Sequence, residues 1–158
     1  MRKIFFLVLI VLSIGACESE AVKTWNELDL MVHGLPISIH APDSAKVKNN
    51  STGMIKDITV TKGNDYDIQI FASPITSASL SALKSAQVEE VKANRYFTKM
   101  LTEEENGFIY ENAIDSSTVY YGFRYVHYQA DLEYIFQQSL SGIFSKEAAE
   151  KMYESVKQ

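Results

Sequence analysis

The sequence predicts an α+β fold: an antiparallel, meandering β-sheet with two helices packed on one face. Alternating apolar and polar residues recur along most of the chain, a period that is typical of half-buried strands. Two segments instead repeat their apolar residues at helical spacing. Turn-forming residues separate neighbouring strands, so we expect these strands to pair as antiparallel hairpins.

The first half of the chain predicts four strands. Leu28–His33 and Leu35–His40 are short β-like runs, and a polar loop over 49–53 follows them. Met54–Thr61 and Tyr66–Ala72 alternate between apolar and polar residues, and the Lys-Gly-Asn-Asp segment between them has the chemistry of a tight turn. We therefore expect these two strands to form a hairpin.

The second half predicts a helix, four strands and a second helix. Ser77 or Ser79 can cap a helix that runs to about Asn94, and Ser145 can cap the last one. The four strands are Tyr96–Leu101, Phe108–Ile114, Thr118–Tyr128 and Leu132–Gln138. An Asn-Gly pair before Phe108 is a strong hairpin signal, so the first two of these strands should pair.

The longest predicted strand, Thr118–Tyr128, has two different faces. The more apolar face comprises Val119, Tyr121, Phe123, Tyr125 and His127. The opposite face carries Tyr120, Arg124 and Tyr128, and we expect it to be partly exposed. Tyrosine and arginine together are typical of binding surfaces, so these three residues are candidate contacts for a partner. The alternative is aromatic pairing that only stabilises the sheet.

The first seventeen residues resemble the signal of bacterial lipoproteins. Two basic residues precede an apolar run over 4–14, and the thirteen residues 4–16 are too few to cross a bilayer, which takes about 20. The segment Ile-Gly-Ala-Cys over 14–17 resembles the lipobox, in which the cysteine thiol is diacylated and the chain is cut before it. The resemblance implies a signal peptide over 1–16, lipidation of Cys17, a tether over 17–25 and a single domain over 26–158.

The residues that follow Cys17 bear on its location. Glu18-Ser19-Glu20 resembles the acidic export signal of Bacteroidetes surface lipoproteins. The resemblance implies a cell-envelope protein that contacts the membrane through its N-terminal lipid, in the outer membrane rather than the inner one. A second short match, Asp43-Ser44-Ala45, resembles the O-glycosylation tripeptide of Bacteroidetes periplasmic proteins and makes Ser44 a candidate modification site.

Charge and cysteine content exclude several functions. The chain carries 15 basic and 20 acidic side chains, a net charge of −5, and without residues 1–16 the net charge is −7. Because an acidic surface repels phosphate backbones, we expect no nucleic-acid partner. The single cysteine, Cys17, excludes an intrachain disulfide and a cysteine-based metal site.

The sequence offers no catalytic constellation. His33, His40 and His127 are far apart in the chain, and no spacing pairs them as ligands or as an acid and base. The aspartates around Asn64 are more typical of a solvated turn than of a calcium loop. We expect no metal, no cofactor and no enzymatic activity.

The order of the elements and three segments resemble PsbP-like domains in small lipoproteins of Bacteroidetes. The segments are 34–42 (GLPISIHAP), 105–111 (ENGFIYE) and 144–150 (FSKEAAE). The resemblance implies an accessory or assembly role and transfers no site residue. We therefore expect a non-enzymatic binding or accessory module, with an envelope protein as its partner. The alternatives are a carrier of small hydrophobic ligands, with the first helix roofing a deep apolar pocket, and an enzyme whose site assembles in space around His127.

The lipobox predicts that the substitution Cys17→Ala releases the protein from membranes. Acyl chains contribute about 0.8 kcal/mol per buried CH₂ group, and without the thiol none can be attached. Fractionation of cells into membrane and soluble material measures the effect. Ser19→Ala is the matched control and should remain with the membrane, whereas membrane retention of Cys17→Ala would contradict the anchor.

Overall fold

A seven-stranded antiparallel β-sheet organises the chain in the computed structural model, which describes residues 25–140 and 142–158. The predicted signal peptide, Cys17 and the tether up to residue 24 lie outside these residues. In chain order the elements are β1 (Asn26–Asp29), a 3-10 helix (Met31–His33), β2 (Ser38–Ala41), β3 (Lys46–Asn49), β4 (Lys56–Lys62), β5 (Tyr66–Pro74), α1 (Leu80–Lys92), β6 (Phe97–Glu103), β7 (Gly107–Ala113), β8 (Val119–Gln129), β9 (Leu132–Gln138) and α2 (Lys146–Ser155).

Two meanders make up the large sheet, whose strand order is β3-β4-β5-β9-β8-β7-β6. They join where β5 pairs with β9, in a register that places Ile70 opposite Phe136. Strands β1 and β2 form a separate two-stranded hairpin. These findings confirm the predicted α+β class with an antiparallel sheet.

The two helices lie on opposite faces of the sheet, so the prediction that both pack on one face is wrong. On β8, Phe123 and Tyr125 point toward α2, and their rings lie 6.1 and 6.2 Å from the Tyr153 ring. Arg124, between them, points toward α1, where its Nη2 approaches Glu90. Successive side chains of a strand alternate between faces, so neighbours that contact different helices place those helices on different sides.

The main core lies between α2, the β1–β2 hairpin and the sheet. Most of its buried members come from β2, β4, β5, β8, β9 and α2, and they include Ile39, Ile58, Ile68, Ile70, Phe123, Tyr134, Phe136, Met152 and Tyr153. A smaller cluster under α1 consists of Val88, Val91, Phe108 and Tyr110. The second face is therefore only partly apolar, which leaves room for polar groups beneath α1.

Serine caps begin both helices as the sequence predicts. The Ser79 hydroxyl accepts a hydrogen bond from the Ala82 amide at 3.1 Å, and the Ser145 hydroxyl accepts one from the Ala148 amide at 3.2 Å. Ser77, the alternative cap, lies before the helix, and its amide donates to Glu133 at 3.2 Å.

In the first half of the chain, one predicted strand is wrong in its extent and one strand was not predicted. The run Leu28–His33 is not one strand, because β1 ends at Asp29 and a 3-10 helix follows, closed by Gly34 at φ +86°. The polar segment before residue 50 contains a strand, β3, whose lysines mark it as a sheet edge. Its only half-buried residue is Val47, so it lacks the apolar alternation that reveals a strand in a sequence.

The Glu133 carboxylate connects β9 to the loop before α1. It accepts hydrogen bonds from the Thr76 amide at 3.3 Å, the Thr76 hydroxyl at 3.1 Å and the Ser77 amide at 3.2 Å. Burial opposes ionisation of this carboxyl, but the hydrogen bonds from Ser77 and Thr76 outweigh burial and lower its pKa. The ionised form therefore stabilises the loop.

Replacing this carboxylate should reduce stability in a pH-dependent way. We expect Glu133→Gln to lower the free energy of unfolding by about 1–3 kcal/mol at pH 7, since a charge-assisted hydrogen-bond set is lost. A carboxyl with a depressed folded-state pKa stabilises above its unfolded pKa of about 4.3, and the contribution is lost as pH falls through the folded pKa. Urea titrations at pH 7 and about pH 3 should show the difference between the variants shrinking in acid. The exposed Glu105→Gln is the control, and an equal difference at both pH values would contradict the assignment.

Candidate functional site

A polar cleft of about 270 Å³ lies between the C-terminal end of α1 and the second face of the sheet. We call it the Arg124 cleft. Its lining residues are Glu90, Val91, Asn94, Tyr96, Tyr110, Asn112, Tyr120, Arg124, Gln138, Ser139, Leu140 and Gly142. Strands β7 and β8 supply the floor, α1 one wall, and the loop after β9 the rim.

Arg124 lies in the cleft floor and is only 5% exposed. Its Nη1 donates to the Phe123 carbonyl at 3.3 Å and to the Tyr110 hydroxyl at 3.4 Å. Its Nη2 lies 3.9 Å from Glu90 Oε1, too far for a hydrogen bond, and its buried Nε has no hydrogen-bond partner among the described residues. The guanidinium is therefore buried with Nη1 hydrogen-bonded, whereas the edge formed by Nη2 and Nε makes no hydrogen bond among the described residues.

The absence of a side chain at Gly122 shapes the floor beside Arg124. A Cβ at this position would lie 2.6 Å from the Tyr110 hydroxyl and would also collide with the Gln138 amide. Gln138 Nε2 donates to the Tyr110 hydroxyl at 2.9 Å, and Gln138 Oε1 accepts from the Phe123 amide at 2.9 Å. Because position 122 is a glycine, the Tyr110 and Gln138 side chains can meet above the strand. Gln138 then holds the Tyr110 hydroxyl beside the guanidinium.

Asn112 and Tyr120 form the opposite end of the cleft. They are directly paired across β7 and β8, and Asn112 is 2% exposed. Asn112 Oδ1 has no hydrogen-bond partner within residues 25–140 and 142–158. Burial raises the pKa of Tyr120, and donation from the Asn112 amide N–H, rather than its Oδ1, opposes this only in part. The tyrosine is neutral at physiological pH, so its hydroxyl can both donate and accept.

The structure brings together two of the three residues that the sequence suggested for partner contact. Tyr120 and Arg124 line the same cleft, whereas Tyr128 does not and instead donates from its hydroxyl to the Ser77 carbonyl at 3.4 Å. The expectation that this face is partly exposed is wrong for Arg124, because α1 covers it. Tyr128 is half-buried against the loop that leads into that helix.

Sequence reasoning missed the other polar residues of the cleft. Tyr110 and Asn112 lie on a strand predicted only as a hairpin partner, yet register places them opposite Gly122 and Tyr120. The Asn-Gly turn joins β6 to β7 and therefore indicates the register of that pair only. It carries no information about the register of β7 against β8. Nothing in the local sequence marks Gln138 as a cleft residue, because its position depends on where β9 ends.

The other candidate chemistry of the sequence does not assemble. His127 Nε2 lies 3.2 Å from Gln129 Oε1, and its ring packs against Tyr134, outside the residues lining the cleft. Throughout the described residues, no group of three or more histidine, cysteine, aspartate or glutamate side chains could hold a metal ion. Asp57 is engaged by the Gln69 amide at 3.1 Å. Ser44 is exposed in a turn with φ +59°.

A second, more open cavity of about 410 Å³ lies where the described chain begins. It is lined by Trp25, Pro42, Lys62, Asp65, Tyr66, Ser145, Glu147, Ala148 and Lys151. Trp25 packs edge-on against Tyr66, with ring centroids 4.9 Å apart. No helix within the described ranges is long and apolar enough to cross a membrane.

Comparison with known proteins identified no relatives: no protein-family model, no curated protein and no solved structure matches this chain. The resemblance to PsbP-like lipoproteins therefore stays a prediction.

The Tyr110 hydroxyl should contribute to stability through its contacts in the cleft. In Tyr110→Phe, the Gln138 amide and Arg124 Nη1 both lose the buried hydroxyl to which they donate. We expect this loss to lower the free energy of unfolding by about 1–3 kcal/mol. Thermal or urea unfolding measures the change. Tyr121→Phe is the matched control, because the Tyr121 hydroxyl makes no hydrogen bond within the described residues. Equal stability of the two variants would contradict a structural role for the Tyr110 hydroxyl.

Proposed function

We propose that this protein is a lipid-anchored lipoprotein of the cell envelope whose single α+β domain is a non-enzymatic binding or accessory module. The Arg124 cleft is its contact site. The observation that carries the proposal is the buried guanidinium of Arg124, whose outer edge faces a cleft and lacks a good partner. Lipidation at Cys17, placement in the outer membrane and a PsbP-like type of domain belong to the same proposal and are supported by sequence resemblance.

The energetics of burial favour a binding role for Arg124. Removing a charged group from water costs several kcal/mol unless it is paired and hydrogen-bonded. The Glu90 side chain, 65% exposed and 3.9 Å away, compensates little of that cost. An apolar residue in this place would pack against Val91 and Phe108 without such a cost. A guanidinium held in this state is suited to bind an anionic group from outside the domain.

The tether is long enough for the domain to reach beyond the lipid headgroups. The part of the predicted tether that precedes Trp25, residues 17–24, has eight residues. At about 3.3–3.6 Å per extended residue they span up to roughly 28 Å. A domain on such a tether can turn toward partners in the envelope while Cys17 stays in the membrane.

The two alternative functions have weaker support. A carrier of hydrophobic ligands needs a deep apolar pocket, whereas the cavity beside α1 is lined mainly by tyrosine, asparagine, glutamine, glutamate and arginine side chains. An enzyme built around His127 would need carboxylates next to its ring, and the partners of that ring are Gln129 and Tyr134. The cleft supports recognition of a polar group better than either.

Photo-crosslinking in cells tests the proposed function. A photoreactive amino acid at Leu140, which is 82% exposed on the cleft rim, should capture one recurrent envelope protein or envelope component. The same group at Lys48, on the edge strand β3, is the matched control and should not capture it. Arg124→Gln should abolish capture from Leu140, as mass spectrometry of the adducts would show. Identical adducts from both positions, or adducts that persist in Arg124→Gln, would overturn the proposal.

A further inference from the structure

We propose that the Arg124 cleft recognises a carboxylate on a small molecule or peptide end that also carries a hydrogen-bond donor. This inference rests on the proposed function and names its ligand class. Three observations support it: the free edge of the Arg124 guanidinium, the Glu90 carboxylate opposite that edge, and the unpartnered Asn112 Oδ1 at the other end of the cleft.

The unused edge of Arg124 is the one that binds carboxylates. Nη1 is engaged by the Phe123 carbonyl and the Tyr110 hydroxyl, and these contacts fix the plane of the guanidinium. Nη2 and Nε lie along one edge of the guanidinium, within its plane. Nε is buried and has no hydrogen-bond partner among the described residues, and the contact of Nη2 is Glu90 at 3.9 Å. Two parallel N–H groups on one edge match the two oxygens of a carboxylate, which gives a bidentate, charge-assisted pair.

Glu90 already shows what kind of group suits this edge. Its Oε1 approaches Nη2 to 3.9 Å from the exposed surface of α1. The distance is too long for a hydrogen bond. The carboxylate is exposed, and its other oxygen accepts only a long hydrogen bond from Gln87 Nε2 at 3.5 Å, so displacing it costs little. An incoming carboxylate would take the place beside Nη2 and Nε, while Glu90 would swing into solvent.

The opposite end of the cleft requires a donor. Asn112 Oδ1 is buried and accepts no hydrogen bond within the described residues, and Tyr120 is its directly paired neighbour on β8. A ligand hydroxyl or amide N–H can satisfy that oxygen, whereas a ligand with acceptors alone cannot. The cavity, about 270 Å³, is at the small end for ligand sites and suits a few heavy atoms rather than a nucleotide.

Two sources supply this chemistry: a free hydroxy acid, and the C-terminal residue of a peptide, whose carboxylate follows an amide N–H. NMR titration of the ¹⁵N-labelled domain separates them. The probes are 3-hydroxybutyrate, with butyrate as its donor-free control, and acetyl-Ala-Ala, with its C-terminal carboxamide as the control that lacks the carboxylate. We expect millimolar or tighter binding of the hydroxy acid, the peptide acid or both, with shifts centred on Tyr110, Gly122 and Gln138. Butyrate should bind more weakly, and the carboxamide should not bind.

Two pairs of variants test the roles of Arg124 and Glu90. Arg124→Gln should weaken binding at least about tenfold, since a charge-assisted bidentate pair is lost, and Arg124→Lys should restore only part of it. Glu90→Gln should tighten binding about two- to fivefold because the competing carboxylate is removed. Its matched control, Glu89→Gln, changes the same charge one residue away on the same helix and should have a much smaller effect. Glu90 is exposed, so this comparison remains informative even where an Arg124 variant fails to fold.

The outcomes separate this inference from the proposed function. If no probe shifts the cleft resonances, or if Glu89→Gln and Glu90→Gln tighten binding equally, the carboxylate assignment is wrong. Should the Leu140 crosslink still disappear in Arg124→Gln, the binding function stands with a different ligand group. If the probes bind as expected and no crosslinked partner is found, the cleft is a small-acid site and the accessory role is overturned.

Discussion

The alternation of side chains along β8 is the constraint on which the rest of the structure depends. One set of residues, including Phe123 and Tyr125, packs with Tyr153 of α2 and with Phe136 of β9. The other set faces α1 and includes Arg124. A register slip of one residue would exchange these sets, burying the arginine in the aromatic core and exposing the aromatic residues. The aromatic contacts with α2 therefore fix the position of the cleft on the other side of the sheet.

The early end of β9 converts this second face into a cleft. The pairing of β8 with β9 stops where Arg124 lies opposite Gln137, although β8 begins five residues earlier, at Val119. Gln138 then replaces the missing strand by accepting from the Phe123 amide, and the Phe144 carbonyl accepts from the Tyr121 amide at 3.0 Å. Two amides of β8 thus find acceptors without a neighbouring strand, and the gap beside them forms part of the cleft.

Much of the fold could be predicted from the sequence, because its signals are local. Alternation identified most of the strands of the large sheet, and the serine caps identified the starts of both helices. The edge strand β3 was not predicted, since a strand with one half-buried residue has no apolar alternation to detect. The faces of the sheet on which the helices pack were also predicted wrongly. They depend on contacts between segments that are distant in the sequence, such as that of Tyr153 with Phe123.

The cleft could be predicted only in part. The sequence placed Tyr120 and Arg124 on one face, which period-two geometry alone requires. We expected this face to be partly exposed. That prediction is wrong for Arg124, because α1 covers it. Polar residues are usually solvent-exposed, so a buried arginine is indistinguishable from an exposed one in a single sequence. Tyr110, Asn112 and Gln138 join the site through register and strand length, which no local pattern records.

The combination of rigid and mobile groups around Arg124 determines how the cleft can work. Its inner contacts come from the sheet, where the Tyr110 hydroxyl is itself held by Gln138 above a glycine. Its outer contact, Glu90, comes from an exposed helix surface and is loose. The guanidinium is therefore pre-oriented before any ligand arrives. Glu90, which is exposed and also accepts from Gln87 Nε2 at 3.5 Å, is the side chain that has to move. Because ordering a flexible arginine is normally part of the cost of binding, a floor that orders it in advance allows a small ligand to bind with useful affinity.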